Sequence, residues 1–574
     1  MNTPNPQSTQ PAFPDWMAQL ANPAAWNSFM QAPQVDAAPL VAQIGQMGAA
    51  IDPAVATKLQ SDYMQEFSVL WQDLAQSKSP PLGDKRFGGS AWSENPLYAF
   101  NAAAYLLNSR FLTAMADAVQ ATPKAKQKIR FAVQQMVDAM SPANFLATNP
   151  EAQRKIVETK GESLSKGIAL MLADMKKGRI SQTDENAFEV GTNVATTEGA
   201  VVFENELFQL IQYKPLTKTV YKTPLLLVPP CINKFYIMDL QPENSLVRYA
   251  VEQGHTVFLT SWRNADKSMS QVTWDDYIEQ GTIKAIDVVK EISGQEKINA
   301  LGFCVGGTLL ATGLAVLAAR RDNPIASLTL LTSFLDFSDT GVIDVFIDEM
   351  QVKMREQAIG KGGLMAGRDF ASAFSSLRSN DLVWNYVGSN YLKGVEPPPF
   401  DLLYWNADST NLPGPMFCWY LRNTYLENNL STPGKVTVCG EKIDFGKIDA
   451  PTFLYASRED HIVPWMAAYS SMALLNPGKI ARNQFVLGAS GHIAGVINPA
   501  SKNKRSHWIN QQPASDAQAW FDGATEMPGS WWPQWDKFLV SHAGKMGPVP
   551  RKFGNDKYKP IEPAPGRYVK AKAD

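Results

Sequence analysis

Gly302-Phe303-Cys304-Val305-Gly306 spans the junction between an apolar strand-like run, INALGF, and an apolar helix-like run, TLLATGLAVLAA. Small residues two places on either side of a central residue permit a tight strand-to-helix turn. Such a turn lifts the central side chain above a sheet, with a helix N-terminus beneath it. Here the lifted residue is a cysteine. The helix dipole and a neighbouring imidazole favour its thiolate, the nucleophilic form. Taken alone, Cys304 fits equally well the small buried hydrophobe that a free cysteine often is. The glycine spacing matches neither G-x-G-x-x-G nor a G-K-[ST] ending, which disfavours phosphate binding at this turn.

A nucleophile held this way needs an acid and a histidine, each delivered by a loop after a later strand, in the order nucleophile, acid, histidine. TFLYASRED ends one strand and delivers Asp460. QFVLGASGH ends the next and delivers His492, with Gly491 and Gly495 beside it. The other histidines stand at 255, 461, 507 and 542. His255 precedes both a strand and the nucleophile and reads as structural. His461 is a rival base, but neighbours in sequence usually point apart, so Asp460 cannot easily orient it. Two backbone amides complete the set as oxyanion donors: Val305, directly after the nucleophile, and Ile232 in the loop VPPCIN, which Pro229 and Pro230 stiffen. Cys231 in that loop reads as a packing residue.

These residues need a mostly parallel sheet to position them. Strand-like runs recur at VVFENELFQLIQY, PLLLVPP, HTVFLT, INALGF, SLTLLT, TFLYA and QFVL, several of them separated by helix-length segments. That alternation predicts an α/β protein with the α/β-hydrolase fold over residues 186–574. The stretch from about 334 to 439 is too long for one crossover and reads as an inserted cap, rich in aromatic residues such as Trp384, Tyr386, Tyr391, Tyr404, Trp405, Phe417, Trp419 and Tyr420.

An all-helical N-terminal domain is predicted over residues 1–185. Asn95 is its clearest N-cap, with Pro96 in the first turn and apolar residues at Leu97, Phe100, Ala104, Leu107, Phe111, Ala114 and Ala118. Further stripes carry Ile129, Val133, Met136 and Met140, then Leu164, Ile168, Met171, Leu172 and Met175, and are expected to be core. Residues 1–85 read as short helical pieces with loose connections, and Trp16, Met17, Leu20, Trp26, Phe29 and Met30 as sticky positions within them.

Composition removes other classes. Over 574 residues, 53 Lys+Arg against 55 Asp+Glu leave a net charge of −2, which disfavours nucleic-acid binding. Four scattered cysteines (231, 304, 418, 439) form no disulfide framework or zinc spacing and suit a reducing compartment. The N-terminus shows no targeting pattern. Ile298 to Ala319 carries no charge and is long enough to cross a bilayer, but its central glycines favour a buried strand, turn and helix. Trp531, Trp532 and Trp535 read as a packed helix, and the basic tail (Arg551, Lys552, Lys557, Lys559) as solvated, although both could support surface binding.

GFCVGG, together with VPPCINKFYIMDLQPENS, TSWRN, TWDDYI, YWNAD, ASREDHIVPW, SGHIAGVINP and SPANFLATNP, resembles the class I polyhydroxyalkanoate synthases over roughly residues 90–545. Ala265 departs from the proline that usually follows SWRN in that family. The resemblance implies that Cys304 carries the acyl group, that His492 is the general base, and that Asp460 is its partner when a substrate hydroxyl attacks. It implies (R)-3-hydroxyacyl-CoA as substrate, short-chain and preferably 3-hydroxybutyryl-CoA, with CoA released and no separate cofactor or metal. It further implies a homodimer working in the cytoplasm on the surface of polyester granules, among granule-associated proteins. A cysteine-dependent thioesterase or lactone hydrolase of the dienelactone hydrolase type, and a non-catalytic granule scaffold, are the competing expectations.

Overall fold

The computed structural model describes residues 50–512, 514 and 516–573. The chain divides into two compact units, the first ending at Arg154 and the second running from Lys155. The six sticky positions between Trp16 and Met30 lie outside the described residues.

In the first unit, α1 (Pro53–Ala75) and α3 (Pro123–Ala139) both pack against α2 (Pro96–Ala118). Asp52 caps α1 by accepting the Ala54 amide at 2.8 Å, and Pro53 opens it. Asn95 and Pro96 do the same for α2, where Asn95 accepts from the Leu97 amide at 2.9 Å. Tyr63 and Phe67 of α1 are buried, and the Tyr63 ring lies 4.8 Å from that of Phe111. Residues 53–75 thus form one docked helix rather than short helical pieces, and an irregular connection follows it as far as Asp84. An Ala- and Gln-rich run looks weak by pattern, yet two aromatic side chains one helical turn apart are enough to dock it.

The third amphipathic run also departs from expectation. It forms α4 (Glu162–Lys177) in the second unit, and Ile168, Met171, Leu172 and Met175 are exposed rather than core. The helix buries its small and polar face instead. A Cβ on Gly167 would stand 2.0 Å from the Tyr391 carbonyl oxygen, so only glycine admits that approach. Asp174 accepts from the Ser181 hydroxyl at 2.5 Å and the Tyr391 hydroxyl at 2.8 Å. Contacts thus tie α4 to the second unit, and the unit boundary falls earlier than the expected 185.

The second unit is built on an 11-stranded sheet. Its strands are β1 (Gly199–Glu204), β2 (Phe208–Tyr213), β3 (Leu225–Val228), β4 (Val257–Trp262), β5 (Ile298–Phe303), β6 (Ile325–Leu331), β7 (Thr452–Ser457), β8 (Asn483–Gly488), β9 (Ser506–Ile509), β10 (Thr525–Pro528) and β11 (Glu562–Pro563). They lie in the order β10-β9-β8-β7-β6-β5-β3-β4-β2-β1-β11. The centre, from β8 to β4, is parallel and the two flanks are antiparallel. Central strands buried on both faces read as continuous apolar runs, which is why LLLV and INALGF carry no alternation. Ile298 to Ala319 is indeed a buried strand, a turn and a helix, α5 (Val305–Ala319). Among the described residues no helix is long and apolar enough to cross a membrane.

Between β6 and β7 the chain makes a long, mostly helical excursion. Helices at Glu349–Ile359 and Gly367–Leu377 are followed by π-helical turns at Asn380–Trp384 and Val387–Leu392, and a helix at Gly414–Leu421 runs into a third π-helical turn at Arg422–Leu426. Trp531, Trp532 and Trp535 are buried in the second unit's core, the bland reading of that run.

Candidate active site

Cys304 stands between β5 and α5 with φ 53° and ψ −129°. A positive φ at a non-glycine residue is strained, and the neighbouring glycines make the turn possible. A Cβ on Gly302 would sit 2.4 Å from the Gly307 Cα, and one on Gly306 would sit 2.3 Å from the Val228 carbonyl oxygen. Strand, elbow and helix therefore meet backbone to backbone, with the half-buried thiol at the carboxyl end of the sheet.

The loop after β7 carries Asp460 and the loop after β8 carries His492. Asp460 Oδ2 lies 2.6 Å from His492 Nδ1. Its other oxygen accepts the amides of Ile462 and Val463 at 2.8 and 2.9 Å, which fixes the carboxylate's direction. The Glu459 amide donates to the Ser490 carbonyl at 3.0 Å and ties the two loops together. On the far side the Phe303 ring stacks against the imidazole at 5.8 Å. Burial opposes a charge on His492, but Asp460 and Cys304 outweigh it and push the imidazole up to about 10. Nδ1 faces Asp460, which leaves Nε2 for the thiol.

Among the described residues His461 has no such partner: burial pushes it down to about 4, and no described group hydrogen-bonds its buried Nδ1. His255 pairs with Asp536 at 3.0 Å and stacks on Tyr221. Cys231 is buried, and burial together with the charge of Cys304 pushes its thiol up to about 12, in keeping with a packing residue.

Val305 opens α5, so its amide has no intrahelical acceptor. Ile232 lies in the loop after β3, and no protein group among the described residues accepts its amide hydrogen. Tyr420 is one of the aromatic residues expected in the cap, whereas no motif points to Tyr425. Burial, and then the Cys304 charge, raises the Tyr425 hydroxyl, which also feels Asp460. Its ring is caged by Phe334, Phe337 and Tyr420. The π-helical turn at 422–426 that presents it shifts the helical period, so no i, i+4 pattern announces this residue. Among the described residues no cluster of His, Cys, Asp or Glu could hold a metal ion.

A strand-to-helix elbow bearing a cysteine, with a carboxylate–imidazole pair on two later loops, defines an α/β-hydrolase-fold protein with a thiol at the nucleophile position. The family model for the α/β hydrolase fold matches residues 224–499, and the one described as poly-beta-hydroxybutyrate polymerase (PhaC) N-terminus matches residues 83–250. The chain is 62% identical to the poly(3-hydroxyalkanoate) polymerase subunit PhaC of Cupriavidus necator, over 92% of this chain and 90% of that one. It is 40% identical to the poly(3-hydroxyalkanoate) polymerase of Methylorubrum extorquens, over 91% and 88%. The chain belongs to the poly(3-hydroxyalkanoate) polymerases, as a class I member, and not to the hydrolases that were the competing expectation.

Proposed function

We propose that this chain polymerises short-chain (R)-3-hydroxyacyl-CoA thioesters, 3-hydroxybutyryl-CoA in preference, into polyester with release of CoA. The observation that carries the mechanism is the pairing of Asp460 with His492 beside the strained Cys304. His492 takes the thiol proton, and the thiolate attacks the thioester carbonyl. The Val305 and Ile232 amides hold the oxyanion, and the carbonyl re-forms as the CoA thiolate leaves with a proton from His492. Exchange of one thioester for another is nearly isoenergetic, so a cysteine suits this substrate. His492, oriented by Asp460, then deprotonates a 3-hydroxyl, whose oxygen attacks the acyl group held on Cys304; the bond from the acyl carbon to the Cys304 sulfur breaks as the new ester forms, and the departing thiolate takes the proton back from His492. CoA enters as the leaving group, and the reading needs no cofactor or metal.

Polymer forms only if water is kept from the acyl-enzyme. The buried aromatic side chains of Trp405, Phe417 and Tyr420 in the cap favour that exclusion. Family membership extends the reading to a homodimer at the surface of cytoplasmic polyester granules, in company with granule-associated proteins.

Butyryl-CoA lacks the 3-hydroxyl and can acylate the enzyme without being elongated. Peptide mass spectrometry after brief incubation is expected to find one butyryl group on the peptide containing Cys304. A butyryl group on a different residue would contradict the assignment.

A further inference from the structure

Within the loop that carries the Ile232 amide, the 231–232 segment is gripped from the cap side by Thr410. Thr410 Oγ1 lies 2.7 Å from the Cys231 carbonyl oxygen and 2.5 Å from the Ile232 carbonyl oxygen, and the Thr410 amide donates to Ile232 O at 3.1 Å. The Cys231 carbonyl and the Ile232 N–H belong to the same peptide unit. That unit is planar and trans, so its N–H points opposite to its C=O. A hydroxyl that holds the carbonyl toward the cap therefore aims the amide hydrogen the other way.

Thr410 is itself buried and firmly set. On one side the Asn411 amide donates to Asn264 Oδ1 at 2.8 Å, and Asn411 Oδ1 accepts the Gly367 amide at 2.9 Å. On the other, Asn233 and Ser409 form an antiparallel bridge, and Trp405 Nε1 donates to the Lys234 carbonyl at 2.7 Å. Asp408 accepts from the Tyr236 hydroxyl and pairs with Lys572, both at 2.9 Å. Cap residues 405–411 and loop residues 231–236 thus form one bridged element.

We infer that Thr410 is a positioning residue for the oxyanion hole, locking the 231–232 peptide plane so that the second donor is in place only while this cap segment is docked. The inference rests on the polymerase reading and on Ile232 as a donor. Thr410→Val keeps the shape and removes the hydroxyl, and it is expected to slow acylation of Cys304 by (R)-3-hydroxybutyryl-CoA by about 10²-fold, the scale of losing one oxyanion donor. Alkylation of Cys304 by iodoacetamide forms no oxyanion and is expected to change little, and Thr410→Ser is expected to restore acylation. Should Thr410→Val fail to fold, Thr410→Ala leaves space rather than a methyl against two carbonyls and carries the same test. Acylation at the wild-type rate in the folded variant, or equal loss of acylation and alkylation, would overturn the inference. Wild-type protein that does not acylate at Cys304 would instead refute the reading beneath it.

Discussion

Replacing Cys304 with serine is expected to lower turnover by on the order of 10³-fold or more, because the site then lacks its nucleophile. A serine hydroxyl is far less acidic than a thiol. A pair arranged so that His492 holds the proton of a thiolate does not activate an alcohol to the same degree. The substitution changes one atom on a backbone already committed to φ 53°, so the fold and the Asp460–His492 contact should persist. Thermal denaturation is expected to match wild type while CoA release, followed by a thiol reagent, nearly vanishes. Activity within a few-fold of wild type would remove Cys304 from the account.

Asp460→Asn is expected to separate two steps that wild type runs together. The asparagine can keep the amide contacts from Ile462 and Val463, so the loop should hold its shape. What it loses is a carboxylate 2.6 Å from His492 Nδ1. A thiol gives up its proton readily even to a poorly oriented imidazole, whereas a 3-hydroxyl does not. A pre-steady-state burst of CoA should therefore persist, while elongation falls by roughly 10²- to 10⁴-fold, the upper figure being the loss seen when a triad aspartate becomes an amide. Rapid-quench measurement of CoA over the first turnovers checks this. Equal loss of burst and elongation would mean that Asp460 acts chiefly in the first step.

How much of this was legible in the sequence depended on whether a residue's role follows from local chain geometry. The elbow at Gly302–Gly306, the strands before Asp460 and His492, and the cap did so. Their signals are glycine spacing, continuous apolar runs, and a connection too long for one crossover. The Asn95–Pro96 helix start was legible for the same local reason. Periodicity does not say what a helix faces. The apolar stripe of α4 was read as core and is exposed, because Gly167 and Asp174 dock the opposite face. The Pro53–Ala75 helix shows weakly in the sequence because its stability comes from distant partners: the Tyr63 hydroxyl meets Asn108, 45 residues away in the chain, and the Phe67 ring lies 6.2 Å from that of Phe100. Thr410 and Tyr425 reach the site through long-range packing and a π-helical turn. Neither leaves a pattern in the sequence.

The most direct test of the whole account is the fate of the acyl group when purified protein meets (R)-3-hydroxybutyryl-CoA. Release of CoA does not discriminate, because a synthase and a thioesterase both liberate it through the same cysteine. The product does: attack by a hydroxyl yields an insoluble polyester that scatters light, and attack by water yields free 3-hydroxybutyrate. With His492 able to serve both deprotonations and a buried aromatic cap over the sheet, most released CoA is expected to be matched by polymer and little by free acid. Stoichiometric free acid with no polymer would contradict the account.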